Sequence, residues 1–271
     1  MIKLIAIDLD GTLLNSKKEI PQENIRAIQE ATANGTKIVL CTGRPKSGTK
    51  PYFDQLCLSE DEFLILNNGC STYTSLEWNL IHHHELTIDD VKKLEKLSSA
   101  YPEVHLTLTT EENYYVLGDN VPDLVAMDGE LVFTKVKATA TSSLEEKPEI
   151  IFQAMYMGSS EILDQFEKAV RSQLVEDFSV VRSQDYILEV MPKDVTKAYA
   201  LKALADDLNC SAEEVMAIGD APNDIEMLTF AGTGVAMGNA SESIKVLANH
   251  ITSHCDQAGV AEAIDKYALL K

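Results

Sequence analysis

The feature that most constrains the fold is a mostly apolar run at residues 2–7, which leads directly into Asp8-Leu9-Asp10-Gly11-Thr12. A short apolar run that ends in turn residues predicts a buried strand of a parallel sheet. Ligands bind in such sheets at the carboxyl ends of the strands. Because Gly11 lets the backbone turn sharply, Asp8 and Asp10 can both address one metal ion or one phosphorus atom. The same residues are also compatible with an ordinary strand followed by an Asp-Gly turn.

The next residues predict a strand-helix-strand unit. Pro21 opens a helix that closes near Gly35, and apolar strands follow at 37–41 and 63–66. Proline in the first helical turn and glycine after the last are the expected signals for helix ends. Such a unit is a right-handed crossover between parallel strands, and parallel strands end at the same edge of the sheet.

From about Glu85 the pattern changes to β-prone runs at 104–108, 114–117, 131–136 and 150–157, with helices near 91–97 and 162–175. Strands without intervening helices predict an antiparallel sheet, and we expect 144–148 to form a surface turn. After Pro192 the first pattern returns, with a helix at 197–208 and a strand at 215–218. The predicted fold class is α/β: a doubly wound, Rossmann-like parallel sheet core at 1–84 and 192–271, with an inserted α+β cap domain at 85–191.

The charge of the chain limits its partners. The 271 residues carry a formal net charge of -20 and a pI near 4.6. This argues against nucleic acid and anionic membranes, which require clustered Lys and Arg, and no protein partner is implied. An anionic substrate would need a divalent cation and a few local basic residues.

The cysteines and the hydropathy indicate where the protein works. The five cysteines are scattered without a C-x-x-C spacing, which suits neither a disulfide framework nor a zinc site. No stretch approaches the roughly 20 apolar residues of a membrane span, and the first residues do not resemble a secretory leader. We therefore expect a cytoplasmic protein.

Further polar motifs follow other predicted strands or open a helix. They are Thr42-Gly43-Arg44-Pro45, Asn68-Gly69, Lys197 and Gly219-Asp220-Ala221-Pro222-Asn223-Asp224. Their order and spacing resemble the haloacid dehalogenase superfamily over essentially the whole chain. The place of the insertion is similar to that in its Cof-type (YidA-like) sugar-phosphatase subfamily. Each motif alone is weak, but the ordered set is specific.

The resemblance implies roles for the two aspartates of the first motif. Asp8 would attack phosphorus to form an aspartyl-phosphate, so that the displacement is split into two steps. Asp10 would protonate the leaving alcohol and then deprotonate the hydrolytic water. Because anions repel each other, a hard divalent cation is needed, and oxygen ligation favours Mg²⁺. The implied ligands are Asp8, the backbone carbonyl of Asp10, and Asp220.

The remaining motif residues are implied to bind phosphate or substrate, or to support the site. The binding set is Thr42, Gly43, Arg44, Lys197 and Asn223, and the supporting set is Asp224 and Asn68. Simpler alternatives stay open: Asn223 and Asp224 could cap a helix, Lys197 could be a solvated surface residue, and Arg44 could bind the cap instead of the substrate. The subfamily commonly has glycine after this lysine, whereas this chain has Ala198, a good helix former.

The preferred interpretation is a Mg²⁺-dependent phosphatase that hydrolyses small phosphorylated metabolites, such as sugar phosphates. A phosphosugar mutase on the same scaffold is an alternative. A signalling module phosphorylated on aspartate is a second alternative, against which the large insertion and the acid/base position of Asp10 both argue. Fold alone does not decide between these activities.

Overall fold

A computed structural model describes residues 1–269 of the chain. The strands of this part are β1 (Leu4–Asp8), β2 (Lys37–Cys41), β3 (Phe63–Leu66), β4 (Ser71–Thr74), β5 (Leu80–His83), β6 (His105–Thr110), β7 (Tyr114–Leu117), β8 (Lys137–Thr139), β9 (Ile151–Met157), β10 (Phe178–Gln184), β11 (Ile187–Pro192), β12 (Val215–Gly219), β13 (Thr233–Ala236) and β14 (His250–Ile251). The helices are α1 (Gln22–Ala33), α2 (Lys46–Phe53), α3 (Ile88–Ser98), α4 (Asp123–Leu131), α5 (Thr141–Glu146), α6 (Ser160–Asp177), α7 (Lys197–Asp207), α8 (Ile225–Phe230), α9 (Glu242–Lys245) and α10 (Gly259–Tyr267).

The chain divides into two compact units. The core unit comprises Met1–Gly43, Thr49–His82 and the chain from Thr196 onward, and the inserted unit comprises Arg44–Gly48 and His83–Val195. The end of the loop after β2 and the first three residues of α2 therefore belong to the inserted unit, whereas the sequence predicts one continuous core segment over 1–84. No helix within residues 1–269 is long and apolar enough to cross a membrane.

The sheet of the core unit has the strand order β14-β13-β12-β1-β2-β3-β4-β5. The strands from β14 to β3 run parallel, and β4 is antiparallel to β3. β1 lies in the middle, where Asp8 pairs in register with Cys41 of β2 and Ile7 pairs with Ile218 of β12. The loops that follow β2 and β12 therefore begin beside Asp8.

Both faces of this sheet are buried, which explains the near-continuous apolar strands. Along β1, Ile5 and Ile7 pack on one face with α1 and α10, while Leu4 and Ala6 pack on the other with α7 and α8. Successive side chains of a strand point to opposite faces, so these four apolar residues of β1 alternate between the two helix layers. The predicted α/β fold class with a central parallel sheet is confirmed.

The sheet of the inserted unit has the order β10-β11-β9-β6-β7-β8, antiparallel except for the parallel pair β7 and β8. Helices α3, α5 and α6 pack on one face, and α4 packs on the other. This is the α+β arrangement that the sequence predicts for the insertion.

Two local predictions in the inserted unit are wrong. Residues 131–136 are not a strand: α4 ends at Leu131, and the chain then turns through Phe133, whose φ is +55°. The apolar residues Val132 and Val136 pack on the sheet from this turn, so they give a β-prone pattern without alternation. Residues 144–148 are not a plain turn either, because α5 covers most of them and buries Leu144.

Candidate active site

In the core unit, the carboxylates that the sequence predicts at two strand ends lie close together. Asp8 is the last residue of β1, and Asp220 follows β12. Asp8, Asp220 and Asp224 each present a carboxylate oxygen, and these oxygens all lie within 4.8 Å of one another. Parallel strands whose carboxyl ends share one edge produce this convergence.

Lys197 is a buried ammonium group at the start of α7, not a solvated surface residue. Its Nζ donates to Asp8 Oδ1 at 2.6 Å and to Asp224 Oδ1 at 2.8 Å, and the side chain is 1% exposed. The N-cap Thr196 accepts a hydrogen bond from Tyr199 N–H, which fixes the first turn of the helix. Gly69 lies so close to this turn that a Cβ there would stand 2.3 Å from the Thr196 carbonyl oxygen.

Asp224 holds the loop that carries Asp220. Its Oδ2 accepts hydrogen bonds from the backbone N–H of Asp220 at 2.9 Å and of Ala221 at 3.0 Å. Its Oδ1 accepts from Lys197, so both oxygens have donors inside the protein. Gly219 permits this packing, because a Cβ there would lie 2.6 Å from the Asp224 side chain.

The Asp220 carboxylate is held by two neutral donors. Thr12 Oγ1 donates to Asp220 Oδ1 at 3.0 Å, and Asn239 Nδ2 donates to Asp220 Oδ2 at 3.1 Å. Gly11, with φ +78°, lies directly against this carboxylate. Gly11 and Thr12 of the first motif therefore contact Asp220 as well as supplying the turn.

The cluster carries more negative than positive charge. Burial and the neighbouring Asp224 raise the pKa of Asp8 well above its ordinary value, although Lys197 opposes this. Burial and Asp224 likewise raise the pKa of Asp220 to about 6. Burial disfavours the Lys197 ammonium, but Asp224 and Asp8 more than offset this and raise its pKa. With all three carboxylates ionised, the single ammonium of Lys197, which contacts Asp8 and Asp224, leaves two negative charges without a partner charge in this cluster.

These residues fit a hard divalent cation. Asp8 Oδ2 is buried and has no hydrogen-bond donor anywhere in the described part of the chain. A buried carboxylate oxygen without a donor is costly unless a ligand occupies it. The donor set is all oxygen, and the uncompensated charge of the cluster equals that of one divalent ion. Asp8 and Asp220 are the carboxylates whose oxygens keep lone pairs that can bind a cation.

Asp10 lies at the same loop and is half-exposed. Lys18 Nζ donates to Asp10 Oδ1 at 2.7 Å, and the Lys18 side chain is itself half-exposed. An exposed pair of this kind contributes little stability. Asp10 therefore has a polar, accessible setting that differs from the buried setting of Asp8.

The predicted supporting turn joins two of the other motifs. Asn68, whose φ is +55°, donates its N–H to the Thr42 carbonyl oxygen at 3.0 Å. Its side-chain Oδ1 accepts from Asn223 Nδ2 at 2.9 Å. Thr42 follows β2 and is buried, with Gly43 next to it at the boundary of the core unit. Asn68 thus ties the loop after β2 to the loop after β12.

Arg44 belongs to the inserted unit. Its Nη1 donates to the Leu131 carbonyl oxygen at the end of α4, at 3.0 Å, and to Gly48 O at 3.4 Å. Gly48 packs closely against the residue after α4, because a Cβ added at Gly48 would lie 2.9 Å from Val132 Cβ. Arg44 therefore holds the 44–48 segment on α4, and a contact between Arg44 and substrate stays a prediction.

Sequence reasoning missed two residues of this site and gave Thr12 no role. Asn239 follows β13 at the same sheet edge as the predicted motifs, so the strand-end rule could have found it. Lys18 comes from an irregular loop, and nothing in the local sequence distinguishes it from the neighbouring Lys17. Its position beside Asp10 follows only from the path of that loop.

Comparisons with known proteins identify the family of the chain. The profile of the haloacid dehalogenase-like hydrolases matches residues 5–264. The phosphatase YwpJ of Bacillus subtilis is 32% identical over 96% of this chain and 98% of its own length. The 5-amino-6-(5-phospho-D-ribitylamino)uracil phosphatase YcsE of the same organism is 32% identical over 99% of this chain and 96% of its own. A crystal structure of a haloacid dehalogenase-like hydrolase from Bacteroides thetaiotaomicron superimposes with a TM-score of 0.87 at 31% identity, over 98% of this chain and 99% of that one.

The fold and the carboxylate-rich site define a hydrolase with a parallel α/β core and an inserted α+β unit. The chain belongs to the haloacid dehalogenase-like hydrolases. With its relatives it is a phosphatase, a hydrolase of phosphoric monoesters.

Gly11→Ala should reduce turnover strongly, whereas Gly35→Ala should not. Both glycines have positive φ, +78° and +85°, so each alanine should cost about 1–2 kcal/mol of backbone strain. A Cβ at Gly11 would lie 2.5 Å from Asp220 Oδ2, while one at Gly35 meets nothing within 4 Å. Since a 1 Å misplacement in an active site costs on the order of 100-fold in rate, we expect a loss of that size for Gly11→Ala alone. Urea unfolding and phosphate release measure the two effects, and equal turnover of the two variants would contradict the contact.

Proposed function

We propose that the chain is a Mg²⁺-dependent phosphatase that hydrolyses small phosphorylated metabolites through an aspartyl-phosphate on Asp8. The observation that carries this proposal is the Asp8 carboxylate: it is buried, Lys197 holds its Oδ1, and its Oδ2 lacks a donor within residues 1–269. A carboxylate fixed in this way points one oxygen toward a ligand. Fixed orientation is what an in-line displacement at phosphorus requires.

In the first half-reaction, an oxygen of Asp8 forms a bond to phosphorus while the bond from phosphorus to the substrate alcohol breaks. Asp10 gives its proton to the departing alkoxide, so the alcohol leaves neutral. Lys197 lies 2.6 Å from Asp8 and is permanently charged, so it balances the negative charge that gathers there. Thr42 donates its backbone N–H to the Ile65 carbonyl oxygen at 2.9 Å, so its hydroxyl at the next strand end is the candidate phosphoryl contact.

In the second half-reaction, Asp10 takes a proton from a water molecule, which attacks phosphorus and breaks its bond to Asp8. Phosphate leaves, and both aspartates return to their starting states. Mg²⁺ would be held by Asp8, Asp220 and the backbone carbonyl of Asp10, and when bound it supplies positive charge to the phosphoryl oxygens. Asp224 and Asn68 would keep the surrounding loops in place, and Asn223 and Arg44 are the remaining candidates for contacts to substrate.

Small polyhydroxylated esters are the proposed substrate class. The relative YcsE is named for a substrate with a phosphorylated ribityl chain, which is an open-chain sugar alcohol phosphate. The net charge of -20 disfavours polyanionic macromolecules as substrates. We also propose a cytoplasmic location, where scattered cysteines remain thiols.

The test is a phosphate-release assay on a panel of esters with Mg²⁺ or with EDTA. The panel contains ribitol 5-phosphate, hexose 6-phosphates, nucleoside monophosphates and p-nitrophenyl phosphate. We expect one phosphate per ester consumed, release that stops in EDTA, and the highest kcat/KM among the sugar and polyol phosphates. Release that persists in EDTA would contradict the metal dependence. Consumption of a sugar phosphate without phosphate release would indicate a mutase instead.

A further inference from the structure

Asn239, which follows β13, connects three separate segments of the core unit through one amide group. Its Nδ2 donates to the Gly11 carbonyl oxygen at 2.8 Å and to Asp220 Oδ2 at 3.1 Å. Its Oδ1 accepts from Cys255 N–H at 2.9 Å. The amide orientation is unambiguous because the nitrogen faces two oxygens and the oxygen faces an N–H group. One side chain therefore links the first motif, the loop after β12 and the turn before α10.

The contact with Asp220 matters because that carboxylate could otherwise rotate. Each of its oxygens accepts one hydrogen bond, Oδ1 from Thr12 and Oδ2 from Asn239. Two donors on opposite oxygens fix the plane of a carboxylate, and each oxygen keeps a further lone pair for a cation. The same amide also donates to the Gly11 carbonyl oxygen, so one side chain connects the backbone next to Asp10 with the Asp220 side chain.

We propose that Asn239 is a positioning residue that orients Asp220 for divalent-cation binding; this inference rests on the proposed function, in which Asp220 is a ligand. Groups that orient metal ligands through hydrogen bonds contribute about 10–100-fold to metal affinity. Asparagine suits the position because its planar amide provides two donors and an acceptor at fixed spacing. Aspartate would offer no donor to Asp220, and alanine would leave Asp220 Oδ2 and Gly11 O without this donor.

Asn239→Ala tests the proposal, with Asn249→Ala as the matched control. Asn249 Oδ1 accepts from Gly234 N–H at 2.7 Å, at the other end of β13, so both variants remove an asparagine that accepts from a backbone N–H. Only Asn239 also donates to Asp220. Calorimetric titration of each metal-free protein with Mg²⁺ gives the dissociation constant, and thermal unfolding in EDTA reports stability. Asn239→Ser, which retains a hydroxyl, serves if the alanine variant does not fold.

We expect both variants to unfold at lower temperature than the wild type, because each loses a backbone cap. Only the Asn239 variant should bind Mg²⁺ more weakly, by about 10–100-fold, with kcat largely restored at saturating Mg²⁺. A Mg²⁺ dissociation constant within twofold of wild type, or an equal weakening in Asn249→Ala, would overturn the proposal. The titration does not depend on turnover, so a wild type that binds Mg²⁺ but releases no phosphate would refute the proposed function and leave the role of Asn239 to be decided separately.

Discussion

Asp8→Asn should abolish phosphate release while leaving the fold intact. The substitution keeps the shape of the side chain and its ability to accept from Lys197 Nζ, but it removes the negative charge that attacks phosphorus. Removing a covalent nucleophile costs on the order of 1,000-fold or more in kcat. Steady-state phosphate release with the best ester of the panel measures this, and turnover within tenfold of wild type would refute Asp8 as the nucleophile.

The stability of this variant provides a second readout. Burial and the nearby Asp224 raise the pKa of Asp8, so its ionised form opposes folding even with Lys197 beside it. A neutral amide removes that cost, and we expect the free energy of unfolding to equal or exceed that of wild type. Asp265→Asn, on the exposed surface of α10, is the control: its carboxylate pairs with Arg26, and both its turnover and its stability should remain near wild type. A large destabilisation of Asp8→Asn would show that its loss of activity reflects damage to the fold.

Lys197→Met should cause the largest loss of stability among the substitutions considered. Methionine has nearly the length of lysine, so packing is preserved, but Asp8 and Asp224 lose the ammonium that both contact. Removing one partner of a buried ion pair costs about 3–5 kcal/mol, because the remaining charge is buried without compensation. Equilibrium urea unfolding measures the change, and turnover should fall with it.

Lys3→Met provides the matched control for the charge. Lys3 pairs with Glu214 at 2.8 Å, but its side chain is 54% exposed. An exposed pair contributes about 0–1 kcal/mol, so this variant should unfold almost as wild type does. If Lys197→Met were no more destabilising than Lys3→Met, the ammonium would have no stabilising role in the cluster.

Apart from Lys197, which opens α7, the predictable parts of the candidate site follow strand ends. The buried run before Asp8, the run before Thr42 and the run before Asp220 each had the length and composition of a central strand. Once these strands are parallel neighbours, their loops must meet at one edge, and the register places them there. Lys197 was identifiable from its place in the motif order, but its burial was not, because burial depends on the packing of α7 against Gly69.

The parts that were not predictable depend on packing between distant segments. The turn after α4 contains residues that favour β-strands. Val132 and Val136 nevertheless cover one face of the sheet from an irregular segment. The assignment of Arg44–Gly48 to the inserted unit depends on Arg44 and the Leu131 carbonyl oxygen, which local sequence does not connect. The position of Asn239 after β13 follows the strand-end rule, but its three contacts to distant segments do not follow from any local pattern.

The position of β1 between β2 and β12 has a consequence for synthesis of the chain. β1 and β2 leave the ribosome early, whereas β12 follows only after the whole inserted unit has been made. Until then β1 has one unpaired edge and an apolar side chain on each face, and such an edge is a template for wrong pairing. The inserted unit has its own core and its own sheet, so it can fold during this interval. The nascent core must therefore stay partly open, and its protection from aggregation depends on how quickly the segment after the inserted unit is synthesised.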